Sequence, residues 1–220
     1  MRRTALQRRK AGLFASGLAL AALFFCATML IPPATSSRGP KLMQKALRQM
    51  EQLENYDLTI IEKTPKDELL FKGRVEKGGE LSGSLPAFKL EVICKEKRLQ
   101  VKYEGDAEWT EAEDLDLQGL AGFLITPLEL LQGQASSFRR AVQGEEILLG
   151  ETPCQTVYLI IPQPEHLVQQ LFPRVDSSGI KEVAIGAALA EPDLMLKQLR
   201  ILVEFSGSGS IERCYYIDPH

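Results

Sequence analysis

Two stretches of this chain alternate apolar and polar residues, and between them lies an apolar stretch that does not alternate. In "YDLTIIEKT" (56–64), Tyr56, Leu58 and Ile60 fall on every second position, which is the period of a half-buried strand. "ELLFKGRVEKGG" continues it through Leu69, Phe71 and Val75 and ends in a glycine turn. "AFKLEVICKEKRLQVKYEG" reads as a hairpin, with Leu90, Val92 and Cys94 on one face of its first strand. Leu99, Val101 and Tyr103 share a face of the second, after a charged turn at "KEKR". Alternation returns in "EEILLGETPCQTVYLIIPQ", where "GETP" is the turn, then in "IKEVAIGAAL", "LKQLRILVEFSG" and "SIERCYYID". The last two are joined by "SGSG", a hairpin loop. Strands linked this closely pair antiparallel with their neighbours. The run "VYLII" is apolar at every position, which predicts a strand covered on both faces.

The helices are fewer. "PKLMQKALRQMEQLENY" places Leu42, Ala46, Leu47, Met50 and Leu53 at helical spacing, so a helix is expected over about 41–54, with Pro40 at its start. The segment without alternation, "LDLQGLAGFLITPLELLQGQASSFRRAV", is interrupted by Pro127. It reads as two short helices near 115–124 and 127–142. "PEHLVQQLF" is a further short helix. Seven to nine strands with a few helices predict an α+β fold: one curved antiparallel sheet whose concave face is covered by helices. About 180 residues are enough to bury a sizeable core.

Upstream of this domain the composition changes. Residues 1–10 carry five basic side chains (Arg2, Arg3, Arg8, Arg9, Lys10) and no acid, and residues 11–31 carry no charge. Twenty-one helical residues span roughly 30 Å, about the hydrocarbon thickness of a bilayer. A basic flank before such a run puts the N-terminus in the cytoplasm. The expected organisation is therefore a cytoplasmic segment (1–10), a transmembrane signal anchor (11–31), a linker (32–40) and an extracytoplasmic domain (41–220) at the cell membrane. Two alternatives stay open. "LFFC" offers Leu23 and Cys26 of a lipid-attachment signal, but Phe24 and Phe25 stand where small residues belong. Ala34 and Ser36 form a small-x-small pair at which a leader could be cut. The chain has 26 basic and 29 acidic residues. Without its first ten residues the remainder carries about −8, which argues against nucleic acid as a partner.

Chemistry is sparse. Cys94, Cys154 and Cys214 follow the leader. They are either reduced core residues or, in an oxidising exterior, one bridge and one thiol, with Cys154–Cys214 the expected pair. No CxxC or His/Cys spacing suggests a metal, and neither histidine, His166 or His220, sits in a metal-binding pattern. No GxSxG elbow marks a nucleophile. In the acidic stretch 104–116, Asp114, Asp116, Gln118 and Gly119 partly match a calcium loop. Its twelfth position is Ile125, where a bidentate Glu is needed. The stretch reads as a solvated loop, anchored by Trp109. No catalytic residue, cofactor or metal is expected.

In element order the chain resembles the LolA and LppX/LprG superfamily. The likeness rests on the exported anchor, on a helix leading into "NYDLTIIEK", on "LLGETPCQTVYLIIP" and on "LRILVEFSGSGSIERCYYID". It covers residues 40–218 and includes no diagnostic motif. The resemblance implies an unclosed half-barrel plugged by helices, which binds a lipid or acylated protein and performs no catalysis. By that reading Leu117, Leu120, Phe123, Leu124, Ile125, Leu128 and Leu131 of the helical insert form a lid over an apolar cavity. The alternative is an interaction or envelope-sensor module of the same fold, its cavity filled by its own side chains.

Overall fold

Residues 38–220, apart from Lys97 and Ser208, are described by a computed structural model. The leader, with the expected anchor and Cys26, lies outside the described residues. Alternation becomes strand wherever it was read. Tyr56, Leu58 and Ile60 are buried on one face of β1 (Asn55–Lys63). β2 (Glu68–Glu76), β4 (Leu90–Lys95) and β5 (Arg98–Tyr103) follow the expected hairpins. β7 (Val142–Leu149) and β8 (Thr152–Ile160) turn at Gly150. β9 (Ile180–Ala190), β10 (Met195–Phe205) and β11 (Ser210–Pro219) complete the C-terminal half.

Two strands were not legible. β3 (Leu81–Leu85) is "LSGSL", and β6 (Thr110–Glu111) is only two residues long. The described residues thus form eleven strands, more than the seven to nine expected. Gly83 of β3 sits opposite Gly73 of β2. A Cβ on either would meet the Phe71 ring, at 2.5 Å from Gly73 and 2.6 Å from Gly83. The two glycines make the space in which that ring lies, so β3 carries little apolar signal of its own.

All eleven strands join one open antiparallel sheet in the order β6-β5-β4-β3-β2-β1-β11-β10-β9-β8-β7. Every neighbour is consecutive in the chain except at the centre, where β1 pairs with β11 from Tyr56↔Pro219 to Lys63↔Glu212. β6 and β7 are therefore opposite edges of the sheet, and the connection between them has to cross a face. It holds α2 (Gly119–Phe123), α3 (Pro127–Gly133) and 3-10 turns at Ala112–Leu115 and Ala135–Arg140. Its helices are shorter than expected, because Asp116 takes a left-handed turn before α2 and the chain tightens to 3-10 geometry after Gln134.

α1 (Arg38–Gln52) starts slightly earlier than the sequence suggested and packs beside α3 over β7, β8 and β10. α4 (Glu165–Leu171) leans on α2. One apolar cluster joins these helices to the inner face of the sheet, including Met43, Met50, Phe71, Phe138, Leu131, Val168, Leu199 and Tyr215. The outer face is mostly polar and bears cross-strand ion pairs such as Arg200–Glu212 and Lys197–Asp218. The run "VYLII" is not covered on both sides: Val157 and Leu159 are inward and buried, whereas Ile160 is 42% exposed on the outer face.

The expected Cys154–Cys214 bridge does not form. Both thiols are free, as is Cys94. Cys154 lies on β8 and Cys214 on β11, three strand spacings apart. That is roughly 14 Å at 4.8 Å per strand, beyond the ~7 Å Cα limit of a disulfide.

Candidate functional site: the helix-covered face of the sheet

The insert is tied down from both sides. Thr126 caps α3: its hydroxyl accepts from the Glu129 backbone N–H, and the Thr126 backbone N–H donates back to Glu129 Oε2 at 2.9 Å. This reciprocal capping box satisfies two donors that the first turn leaves open. Pro127 begins the helix, where its missing N–H costs nothing. The sequence signal, Thr126-x-x-Glu129 before an apolar run, was present but unread.

The expected lid residues come together here. Phe123, Leu124 and Leu131 are buried, and Leu117, Leu120, Ile125 and Leu128 are partly buried against the same cluster. Gly122 allows α2 and α4 to touch: a Cβ there would stand 2.6 Å from the Gln170 carbonyl oxygen. On the neighbouring wing, the acidic stretch is anchored as Trp109 suggested, with Lys102 Nζ 5.0 Å from its ring centre. Asp116 takes a left-handed conformation (φ 56°) closing a 3-10 turn. No group of three or more metal-ligating side chains occurs among the described residues. His166 stands exposed on α4, and His220 reaches Asp57 at 3.0 Å on the surface.

Sequence reasoning missed the polar centre of this face. Arg213 of β11 is 1% exposed. Directly opposite on β1 is Glu62, whose Oε2 accepts from Arg213 Nε at 2.9 Å. The guanidinium also donates to the Gly122 carbonyl at the end of α2 (2.7 Å) and to the Leu171 carbonyl at the end of α4 (2.8 Å). Phe172 and Phe123 hold it by their rings, at 4.4 and 5.3 Å. One buried cation thus joins two sheet strands to two helix C-termini, where carbonyls lack intrahelical partners. The signal for it was a charge in phase with the buried positions. Glu62 follows Tyr56, Leu58 and Ile60 at every second residue, and Arg213 falls between Ile211 and Tyr215 in the same way.

Burial pushes the Tyr56 and Tyr215 phenols up, and Arg213 pulls Tyr215 part of the way back. Burial, then the neighbouring Glu212 carboxylate, pushes the Cys214 thiol up to about 12. Cys94 and Cys154 are also raised, first by burial. All three sulfurs are thiols at neutral pH and weak nucleophiles.

No protein-family model matches the chain, and no curated protein sequence matches it. Solved structures do. The lipoprotein LppX of Mycobacterium tuberculosis matches over 84% of this chain and 94% of its own, at 13% identity and a TM-score of 0.52. The chain has an LppX-like fold. LprF of Mycobacterium bovis matches at 10% identity and a TM-score of 0.47, over 83% of this chain and 92% of its own. A LolA superfamily protein of Nitrosomonas europaea matches at 9% identity and 0.31, over 83% and 93%. At these identities the LppX-like likeness is one of fold, and function has to be argued from the face just described.

Proposed function

We propose that this chain is a membrane-tethered extracytoplasmic domain that binds a lipid or the acyl chain of an acylated protein, without catalysis, between its helical insert and the inner face of its sheet. The observation that carries the reading is the row of partly buried apolar side chains on the insert: Leu117, Leu120, Ile125 and Leu128. They lie between solvent and an apolar interior on short helices broken at Leu124 and Gly133. Small displacements of such helices expose inner surface without unfolding the sheet, and each acyl methylene buried there gains about 0.8 kcal/mol. Tethering rests on the uncharged run 11–31 and its basic flank.

A second reading is favoured by a different observation. The apolar cluster runs unbroken from α1 through Phe138 and Leu131 to the sheet. A face filled by its own side chains suits an interaction or sensor module that takes no lipid.

Photo-crosslinking separates the two. Cells expressing the full chain are fed a diazirine-bearing fatty acid, irradiated, and the purified chain is mapped by mass spectrometry. Carrier function puts crosslinks in peptides spanning 112–141, reduced several-fold by Leu128→Asp. Crosslinks confined to the leader would leave the self-filled module. Label that appears without irradiation and disappears in Cys26→Ser would mean that Cys26 is acylated.

A further inference from the structure

α1 carries a second pattern that its packing does not use. Gly39, Leu42, Met43, Ala46 and Met50 are buried, and Arg38, Lys41, Lys45 and Arg48 repeat at spacings of three and four on the exposed side. The 3-10 turn that packs against α1 adds Arg139 and Arg140, both exposed. These residues stand on a domain whose overall charge is about −8. Lys41, Lys45, Arg48, Arg139 and Arg140 make no ion pair with any described residue. Most other lysines of the domain do, Lys63, Lys77, Lys89, Lys95, Lys102, Lys181 and Lys197 among them.

Helix stability does not explain the stripe. Arg38 and Lys41 stand in the first turn, which contains no acid, and the last turn contains no base. That is the unfavourable polarity for a helix dipole. The acids nearest in the chain are Glu51 at the far end of α1, which accepts from Gln132, and Glu145 and Glu146 further along β7; Asp193 lies beside the C-terminal half of α1, where Gln49 donates to its carbonyl. Position in the chain supplies the second argument. Arg38 follows the run 11–31 after only residues 32–37, six residues that reach at most about 20 Å.

We propose that the exposed side of α1, with Arg139 and Arg140, is a docking surface for an anionic lipid bilayer. The inference rests on the tethering reading above. Docking would bring the helix-covered face to the membrane from which a lipid is taken or to which it is given. Each basic residue near an anionic surface is worth about a fivefold gain in occupancy, and salt screens the attraction within a Debye length.

The test is lysine footprinting on the full chain, reconstituted in vesicles of phosphatidylcholine alone or of equal parts phosphatidylcholine and phosphatidylglycerol. A membrane-impermeant acetylating reagent reports Lys41 and Lys45 against the exposed Lys66 and Lys89. Docking protects Lys41 and Lys45 by about tenfold in the anionic vesicles only. Raising the salt removes the protection, as does the double charge reversal Lys45→Glu/Arg48→Glu, read at Lys41. Equal labelling of all four lysines in both vesicles would overturn the proposal. So would protection that persists in phosphatidylcholine or without vesicles, which would mean that a second copy or another protein covers the face. A chain washed off both vesicles by high salt would refute the tether instead, and lysine protection at low salt would still decide the docking surface.

Discussion

Arg213 does more than balance a charge. Its partner Glu62 is one of several acceptors, which include the Gly122 and Leu171 carbonyls in the last turns of α2 and α4. Truncation would leave a partly buried carboxylate and two carbonyls without a donor, so Arg213→Met is expected to cost roughly 3–5 kcal/mol in urea unfolding. Glu62→Gln keeps an acceptor opposite the guanidinium and leaves the helix contacts in place, so about 1–2 kcal/mol is expected. Equal costs would locate the whole effect in the ion pair and dismiss the role of Arg213 as a clamp on the helices. The buried acids make a pH prediction. Cys214, Tyr56 and Tyr215 all have folded-state values raised above the ordinary 9.0 of a thiol and 10.0 of a phenol. A raised value means that the unfolded chain loses these protons first. The stability they contribute is full below about pH 9 and falls as pH rises beyond it. The urea midpoint is expected to drop steadily above pH 9, and a midpoint flat to pH 11 would contradict this. At pH 8 iodoacetamide should leave Cys154 and Cys214 unmodified until denaturant is added, as mass spectrometry would show.

At the scale of elements, one close approach holds the helical layer to the sheet. A Cβ on Gly39 would lie 2.3 Å from the Ala141 carbonyl oxygen, where α1 meets the start of β7. Gly39→Ala forces backbone apart and is expected to destabilise by about 1–3 kcal/mol, against the gain that Gly→Ala brings on an open helix surface. An increase in melting temperature would show that this contact is loose. Loss of the α3 cap by Thr126→Ala is expected to cost about 1 kcal/mol. If the insert moves as a lid, its amides should exchange faster in that variant while those of β10 and β11 stay unchanged. The strands were legible because period two survives in them, from Tyr56–Leu58–Ile60 through Ile211–Arg213–Tyr215. β3 escaped because Gly83 interrupts its inner row between Leu81 and Leu85, and β6 because two residues hold no period. The helices of the insert are shorter than their apolar spacing suggests, since that spacing shows neither the left-handed turn at Asp116 nor the change to 3-10 geometry after Gln134.

Across the whole molecule, the sheet is a meander with its two ends joined at the centre through β1 and β11. Such an order sends the helical insert from one edge to the other, over the inner face of the sheet. An acyl chain held there and a basic helix beside the linker would make one membrane-facing layer, which crosslinking and footprinting probe separately. Local chemistry was sufficient for much of this. Strand period, hairpin turns and the amphipathic α1 are properties of neighbouring residues, so they could be read directly. Pairing was not local. Whether Cys154 meets Cys214, whether Ile160 is covered, and where Arg213 finds Glu62, Gly122 and Leu171 depend on which elements become neighbours. The positions concerned are up to 151 residues apart. Contacts at that separation are set by the packing of the folded sheet and leave only a faint mark in the chain: a charge that falls where an apolar residue is due.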